Sequence, residues 1–147
     1  MVLAIGSDHG GVHLKDEIKH YFTENDIEFF DFGAQVGESV DYPDVAKKLA
    51  VAVADGTYER GILICGTGIG VSISANKVHG IRAALCTDVY SAQMAREHND
   101  ANILTLGERV TGPGLALMIV ETWLNTAFAG GRHARRVNKI MEIEQNR

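Results

Sequence analysis

The sequence predicts an α/β sandwich built on a mostly parallel sheet, and three observations carry that prediction. Five short apolar runs, rich in β-branched residues, read as buried strands. Stretches with helical spacing of apolar residues separate them. The third run passes directly into a glycine turn, Cys65-Gly-Thr-Gly-Ile-Gly70, and then into a helix-like segment. Strand, glycine turn and helix together aim several backbone N–H groups at one negatively charged atom.

Taken in order, residues 2–5 form the first strand and end in Gly6-Ser-Asp-His-Gly-Gly11. Leu14, Ile18, Tyr21 and Phe22 recur at helical spacing, with Lys15, Asp16, Glu17 and Lys19 as the polar residues between them. Residues 27–32 are the second strand, and a polar loop over 33–41 leads to Tyr42-Pro43, where Pro43 opens a helix to about residue 55. Residues 62–65 are the third strand and 71–76 the helix after it. Residues 81–86 are the fourth strand, Thr87-Asp88 cap a helix over 89–98, and 102–106 are the fifth strand. The next helix, 114–126, is predicted to bury Leu115, Met118, Ile119 and Trp123. Gly130-Gly131 breaks the chain before a last helix over 134–145, with Val137, Ile140 and Met141 on one side.

The 147 residues suit one domain spanning 1–147, with no internal repeat or linker. A hydrophobic share of 46% and a charged share of 22% fit an ordinary globular chain. The net charge of −5 argues against nucleic acid or an anionic membrane as partner, and no apolar run approaches a membrane span. The first residues enter a strand without a basic segment or cleavage site, and the two cysteines do not suggest a disulfide framework. Cytoplasmic residence is the expectation.

Ligands of open parallel sheets sit at the carboxyl ends of the strands. Those ends carry Asp8 and His9, Tyr42, Cys65 with its glycine turn, Thr87 and Asp88, and Arg109. A helix N-terminus favours an adjacent anion, which places Cys65 to act as a base or nucleophile beside an anion cradle. Each residue also has a structural reading: Asp8 as a helix cap, Tyr42 as loop packing, Cys65 as a small core residue. His98-Asn99 closes a helix that starts at the ligand edge, so it lies about 13 Å away along that axis. Spacing alone favours a helix C-terminus there, with His98 favoured by the helix dipole and Asn99 as the left-handed cap; a catalytic His98 would serve the site of a second subunit. Arg132 and Arg136 stand one helical turn apart beside His133, suited to one phosphate or to a solvated basic face.

The glycine turn is neither a dinucleotide fingerprint nor a Walker loop. A cysteine phosphatase would need an arginine six residues after the cysteine, where Val71 stands. Histidines and carboxylates lack close metal-ligand spacing, so neither metal nor cofactor is expected. One base near neutral pH and an oxyanion cradle suffice for proton transfer beside a carbonyl. A non-catalytic sugar-phosphate sensor is the alternative of another class.

Gly6-Ser-Asp-His-Gly-Gly11, Asp41-Tyr-Pro43, residues 61–70, Ser74-Ala-Asn-Lys77, Gly80-Ile-Arg-Ala83, His98-Asn-Asp100 and Gly130-Gly-Arg-His133 with Arg136 resemble the ribose-5-phosphate isomerase B family. That family includes the galactose-6-phosphate isomerase subunits, and the resemblance spans nearly the whole chain. It implies a three-layer α/β/α sandwich, a five-stranded parallel Rossmann-like sheet and an extra C-terminal helix. It also implies interconversion of ribose 5-phosphate and ribulose 5-phosphate, in the pentose phosphate pathway, through a cis-enediolate. By the same resemblance Cys65 is the proton-transfer base, because Val71 stands where another branch carries a glutamate. Thr67 assists proton movement between oxygens, and His98 opens the furanose ring. Asp8, His9, Tyr42, Gly66, Gly68, Ile69, Gly70, Asn99, Arg109, Arg132 and Arg136 are the implied substrate-binding residues. The implied assembly is a homodimer or a dimer of dimers with its site shared between subunits. A six-carbon aldose phosphate, galactose 6-phosphate or allose 6-phosphate, stays open as substrate.

Overall fold

A computed structural model describes residues 1–146. The strands are β1 (Val2–Ser7), β2 (Glu28–Asp31), β3 (Arg60–Cys65), β4 (Ala83–Leu85) and β5 (Ile103–Gly107). The helices are α1 (Val12–Glu24), α2 (Tyr42–Ala54), α3 (Ile69–Asn76), α4 (Val89–Glu97), α5 (Pro113–Asn125) and α6 (Arg132–Gln145). A 3-10 turn, His9–Gly11, precedes α1. All four strand pairings are parallel, in the order β2-β1-β3-β5-β4.

Alternation along each strand divides the interior into two apolar layers. Leu3, Ile5, Ile62, Ile64, Leu104 and Leu106 face α1, α4 and α5, where Phe22, Ala95 and Trp123 complete the packing. Ala4, Leu63, Cys65 and Ile103 face α2 and α3, against Leu49, Ala50, Val53, Val71 and Ala75. The α/β/α layering is as expected. Among the described residues, no helix is long and apolar enough to cross a membrane.

Strand order reverses direction between β1 and β3, which opens a crevice at their carboxyl ends. Register fixes what lies there: Ser7 is opposite Ile64, and Cys65 is opposite Gly107. The loops after β1, β3 and β5 therefore leave the sheet side by side.

Four expectations differ from the structure. Lys15 was placed on the polar side of α1, yet it is fully buried; its ammonium pairs with Asp31 at 2.9 Å and donates to the Ala34 carbonyl. Leu115 and Met118 are exposed, and the buried face of α5 is Ala116, Ile119, Val120 and Trp123. The left-handed residue after α4 is Asp100, with φ 47°, rather than Asn99. Ile140 is also largely exposed, whereas Val137 is buried.

Candidate active site

Cys65 ends β3 with its side chain buried, and the Gly68 N–H donates to its Sγ at 3.1 Å. Gly68 adopts φ 80°, and a methyl group there would stand 2.6 Å from Leu85 and 2.8 Å from the Leu106 carbonyl carbon. Only glycine suits both that backbone and that space. The turn then enters α3, which starts at Ile69, two residues earlier than the apolar pattern predicts. Thr67 is exposed, and its Oγ1 accepts the Ile69 N–H at 3.2 Å. Thr105 steadies the turn from β5 by donating to the Gly68 carbonyl at 3.0 Å.

Neighbouring loops close round this turn. Asp8 is the cap that its structural reading describes, accepting the Gly10 N–H at 2.8 Å, and its own N–H donates to the Ile64 carbonyl at 3.2 Å. Asp8 thus caps the turn while standing at the carboxyl end of β1. His9 is exposed and lines a cavity of about 260 Å³ with His13, Val36, Glu38 and Ser39. Beyond β5, the Glu108 and Arg109 N–H groups donate to the carbonyls of Cys65 and Gly66 at 2.9 and 3.0 Å. The Arg109 guanidinium lies over the turn, since a methyl on Gly66 would meet its Nη1 at 3.0 Å. Tyr42 opens α2 and lays its ring against Gly70, where a methyl would stand 2.5 Å from Cε1. Asp8, Tyr42 and Arg109 thus approach the Cys65–Gly70 turn from three neighbouring loops, and His9 stands beside Asp8 at the same carboxyl edge.

Cys86 has a different setting. Its burial, with the Asp88 carboxylate nearby, pushes the thiol up to about 11. Both cysteines are free. Asp88 itself caps α4 by accepting the Ser91 N–H at 2.7 Å, so it serves the helix.

His98, Asn99, Arg132 and Arg136 form a second cluster. His98 follows α4, and Arg132 and Arg136 lie on the first turns of α6. The His98 and His133 rings stack with centroids 4.2 Å apart. Desolvation, then the charges of His98, Arg132 and Arg136, hold the His133 pKa below the ordinary histidine value. This cluster is at the sheet's other edge: Asn102, just before β5, accepts the Gly61 N–H at 3.0 Å. From Gly61 to Cys65 the strand advances on the order of 13 Å.

Sequence reasoning named His133 only as a neighbour of the arginines, and its stack joins residues 35 positions apart. It passed over Arg96, although the Arg96–Asp100 spacing of an i,i+4 ion pair is visible in the sequence.

A model of the Ribose/Galactose Isomerase family matches residues 3–140. The chain belongs to this family. Within the ribose/galactose isomerases, it is 51% identical to ribose-5-phosphate isomerase B of Escherichia coli K12, across 99% of this chain and 97% of that one. It is 50% identical to the ribose-5-P isomerase B of Listeria innocua, across 99% and 98%. A solved structure of Clostridium thermocellum ribose-5-phosphate isomerase B matches with a TM-score of 0.97 at 61% identity, over 99% of each chain.

Proposed function

We propose that the chain is an aldose–ketose isomerase that interconverts D-ribose 5-phosphate and D-ribulose 5-phosphate. The observation that carries this reading is Cys65 Sγ, held at 3.1 Å from the Gly68 N–H in a glycine turn that Tyr42 and Arg109 pack against and Asp8 adjoins. A proton-transfer base and an array of backbone donors stand together there. Cys65 takes the proton from C2 of the open-chain aldose and returns it at C1. The backbone N–H groups from Gly66 to Gly70 hold the oxygen of the cis-enediolate as its charge develops. Thr67 serves proton movement between the two oxygens.

His98 donates a proton to the ring oxygen to open the furanose, Asn99 holds the sugar, and Arg132 and Arg136 take the phosphate with His9 and Arg109. Cys65 and His98 lie at opposite edges of the sheet in one chain. The reading therefore joins the Cys65 half-site of one subunit to the His98 half-site of a second. Ile69, Ile73, Tyr90, Ile140 and Ile143 are exposed apolar residues on α3, α4 and α6 that suit such an interface in a homodimer or dimer of dimers. A metabolic role on soluble sugar phosphates agrees with cytoplasmic residence.

The test is a panel of ribose 5-phosphate, allose 6-phosphate and galactose 6-phosphate, scored by ketose formed. The highest kcat/KM is expected with ribose 5-phosphate. Binding of all three without ketose would replace the enzyme by a sensor.

A further inference from the structure

Arg96 is 5% exposed, lies two residues before His98, and has no place in the chemistry described above. Its guanidinium contacts two separate segments. Nη1 donates to Asp100 Oδ1 and to the Ala101 carbonyl, both at 2.8 Å, and so grips the turn that carries His98 and Asn99. Nε donates to the Thr126 carbonyl at 3.3 Å, at the end of α5, where the chain leaves for α6. A backbone bond runs alongside, from the Ala129 N–H to the Glu97 carbonyl at 3.0 Å. The segment held in this way leads to Arg132, His133 and Arg136.

The turn itself needs holding. Asp100 adopts φ 47°, a left-handed conformation that costs a residue with a side chain some strain. Arg82 adds a second grip from β4's leading loop, donating through Nε to the Asn99 carbonyl at 3.0 Å and through Nη2 to the Asp100 carbonyl at 2.9 Å. Arg82 also reaches the far half of α6, donating through Nη1 to Met141 Sδ at 3.3 Å, whereas Arg96 ties the turn to the α5–α6 connection just ahead of Arg132 and His133. A planar guanidinium can bridge two fixed segments in this way; an ammonium on a flexible stem cannot hold the same fork.

We propose that Arg96 is a positioning residue for the ring-opening half-site, fastening the His98 turn to the α6 segment so that His98 meets His133 and the phosphate arginines. This rests on the role given to His98 above. The geometry it explains is the stack, with centroids 4.2 Å and planes 9° apart. Those rings belong to separate segments, and Arg96 with its neighbour Glu97 holds the His98 turn to the connection that leads directly into the His133 turn of α6.

The test compares Arg96→Lys and Arg96→Met with Arg60→Met in the full-length protein. Arg60 is the other guanidinium against Trp123 and donates to the carbonyls of Trp123 and Leu124. It therefore controls for loss of packing in the same region. Proton NMR of the histidine rings, assigned with His98→Asn and His133→Asn, reads the ring-current shifts of the stack without any substrate. Both Arg96 variants are expected to lose those shifts and at least tenfold in kcat/KM with ribose 5-phosphate, mainly in kcat. Arg60→Met is expected to lower the melting temperature and keep the shifts. Should Arg96→Met fail to fold, Arg96→Lys, which keeps the charge and the apolar stem, decides the matter. Unchanged ring shifts in folded Arg96→Lys overturn the proposal, as does an equal change in Arg60→Met. If His98→Asn itself keeps wild-type turnover, the ring-opening role fails separately, and the NMR comparison still decides on Arg96.

Discussion

His98 and His133 stack almost face to face, their rings 4.2 Å apart and 9° from parallel, at the edge of the sheet opposite Cys65. Desolvation first, and then the charges of His98, Arg132 and Arg136, hold the pKa of His133 below the ordinary value.

That depression has a direction in pH. Between the lowered folded value and the ordinary value near 6.5, the unfolded chain binds a proton that folded His133 refuses. The stability associated with neutral His133 is present above about pH 6.5 and is lost as pH falls below it. Thermal melts from pH 7.5 to 5.5 should show a falling midpoint, and His133→Asn should flatten that part of the profile. An identical pH profile in the variant would remove His133 as the cause.

Cys65→Ala should keep the fold and lose about three orders of magnitude in turnover, the scale of a lost general base. Circular dichroism checks the fold, and ketose formation checks the activity. Near-native rates in the folded variant would end the proposed proton transfer.

The two half-sites permit complementation. Cys65→Ala and His98→Asn chains, each inactive alone, should regain activity when exchanged into hybrid dimers. Random pairing in a two-fold dimer restores about one quarter of wild-type activity, because half the dimers are hybrids and each has one intact site. Verified subunit exchange without recovery would place both residues in one subunit's site.

Arg136→Ala should raise KM for ribose 5-phosphate by about 10- to 100-fold, the worth of one charge-assisted hydrogen bond to phosphate. Free ribose should respond far less. Equal effects on the two sugars would withdraw Arg136 from the phosphate.

Lys15→Met should destabilise the fold by about 3 kcal/mol, as removal of one partner from a buried ion pair does. Urea unfolding measures it. Lys19 still reaches Asp31 at 2.8 Å, so the loss should stop short of abolishing folding.

What the sequence disclosed follows a physical line. Local chemistry was legible: the β-branched run before Cys65, the glycines that only a tight turn requires, and Pro43 at a helix start. Alternation of elements located the strand ends, and hence the crevice. Facts that depend on distant partners were not legible. Lys15 looks polar until Asp31, on another element, neutralises it in the interior. Leu115 and Met118 look buried because apolar residues at helical spacing do not say which flank meets the sheet. Spacing placed His98 far from Cys65 and stopped there, since the imidazole that meets it belongs to α6.

The bond from the Gly68 N–H to Cys65 Sγ has a temporal meaning on the proposed mechanism. The sulfur that acts as the base accepts that donor up to the transfer. Once the sulfur has taken the proton from carbon it becomes a thiol, a weak acceptor. The Gly68 N–H is then released at the moment negative charge appears on the neighbouring sugar oxygen. One backbone donor can thus serve sulfur before the transfer and oxygen after it, changing hands with the proton.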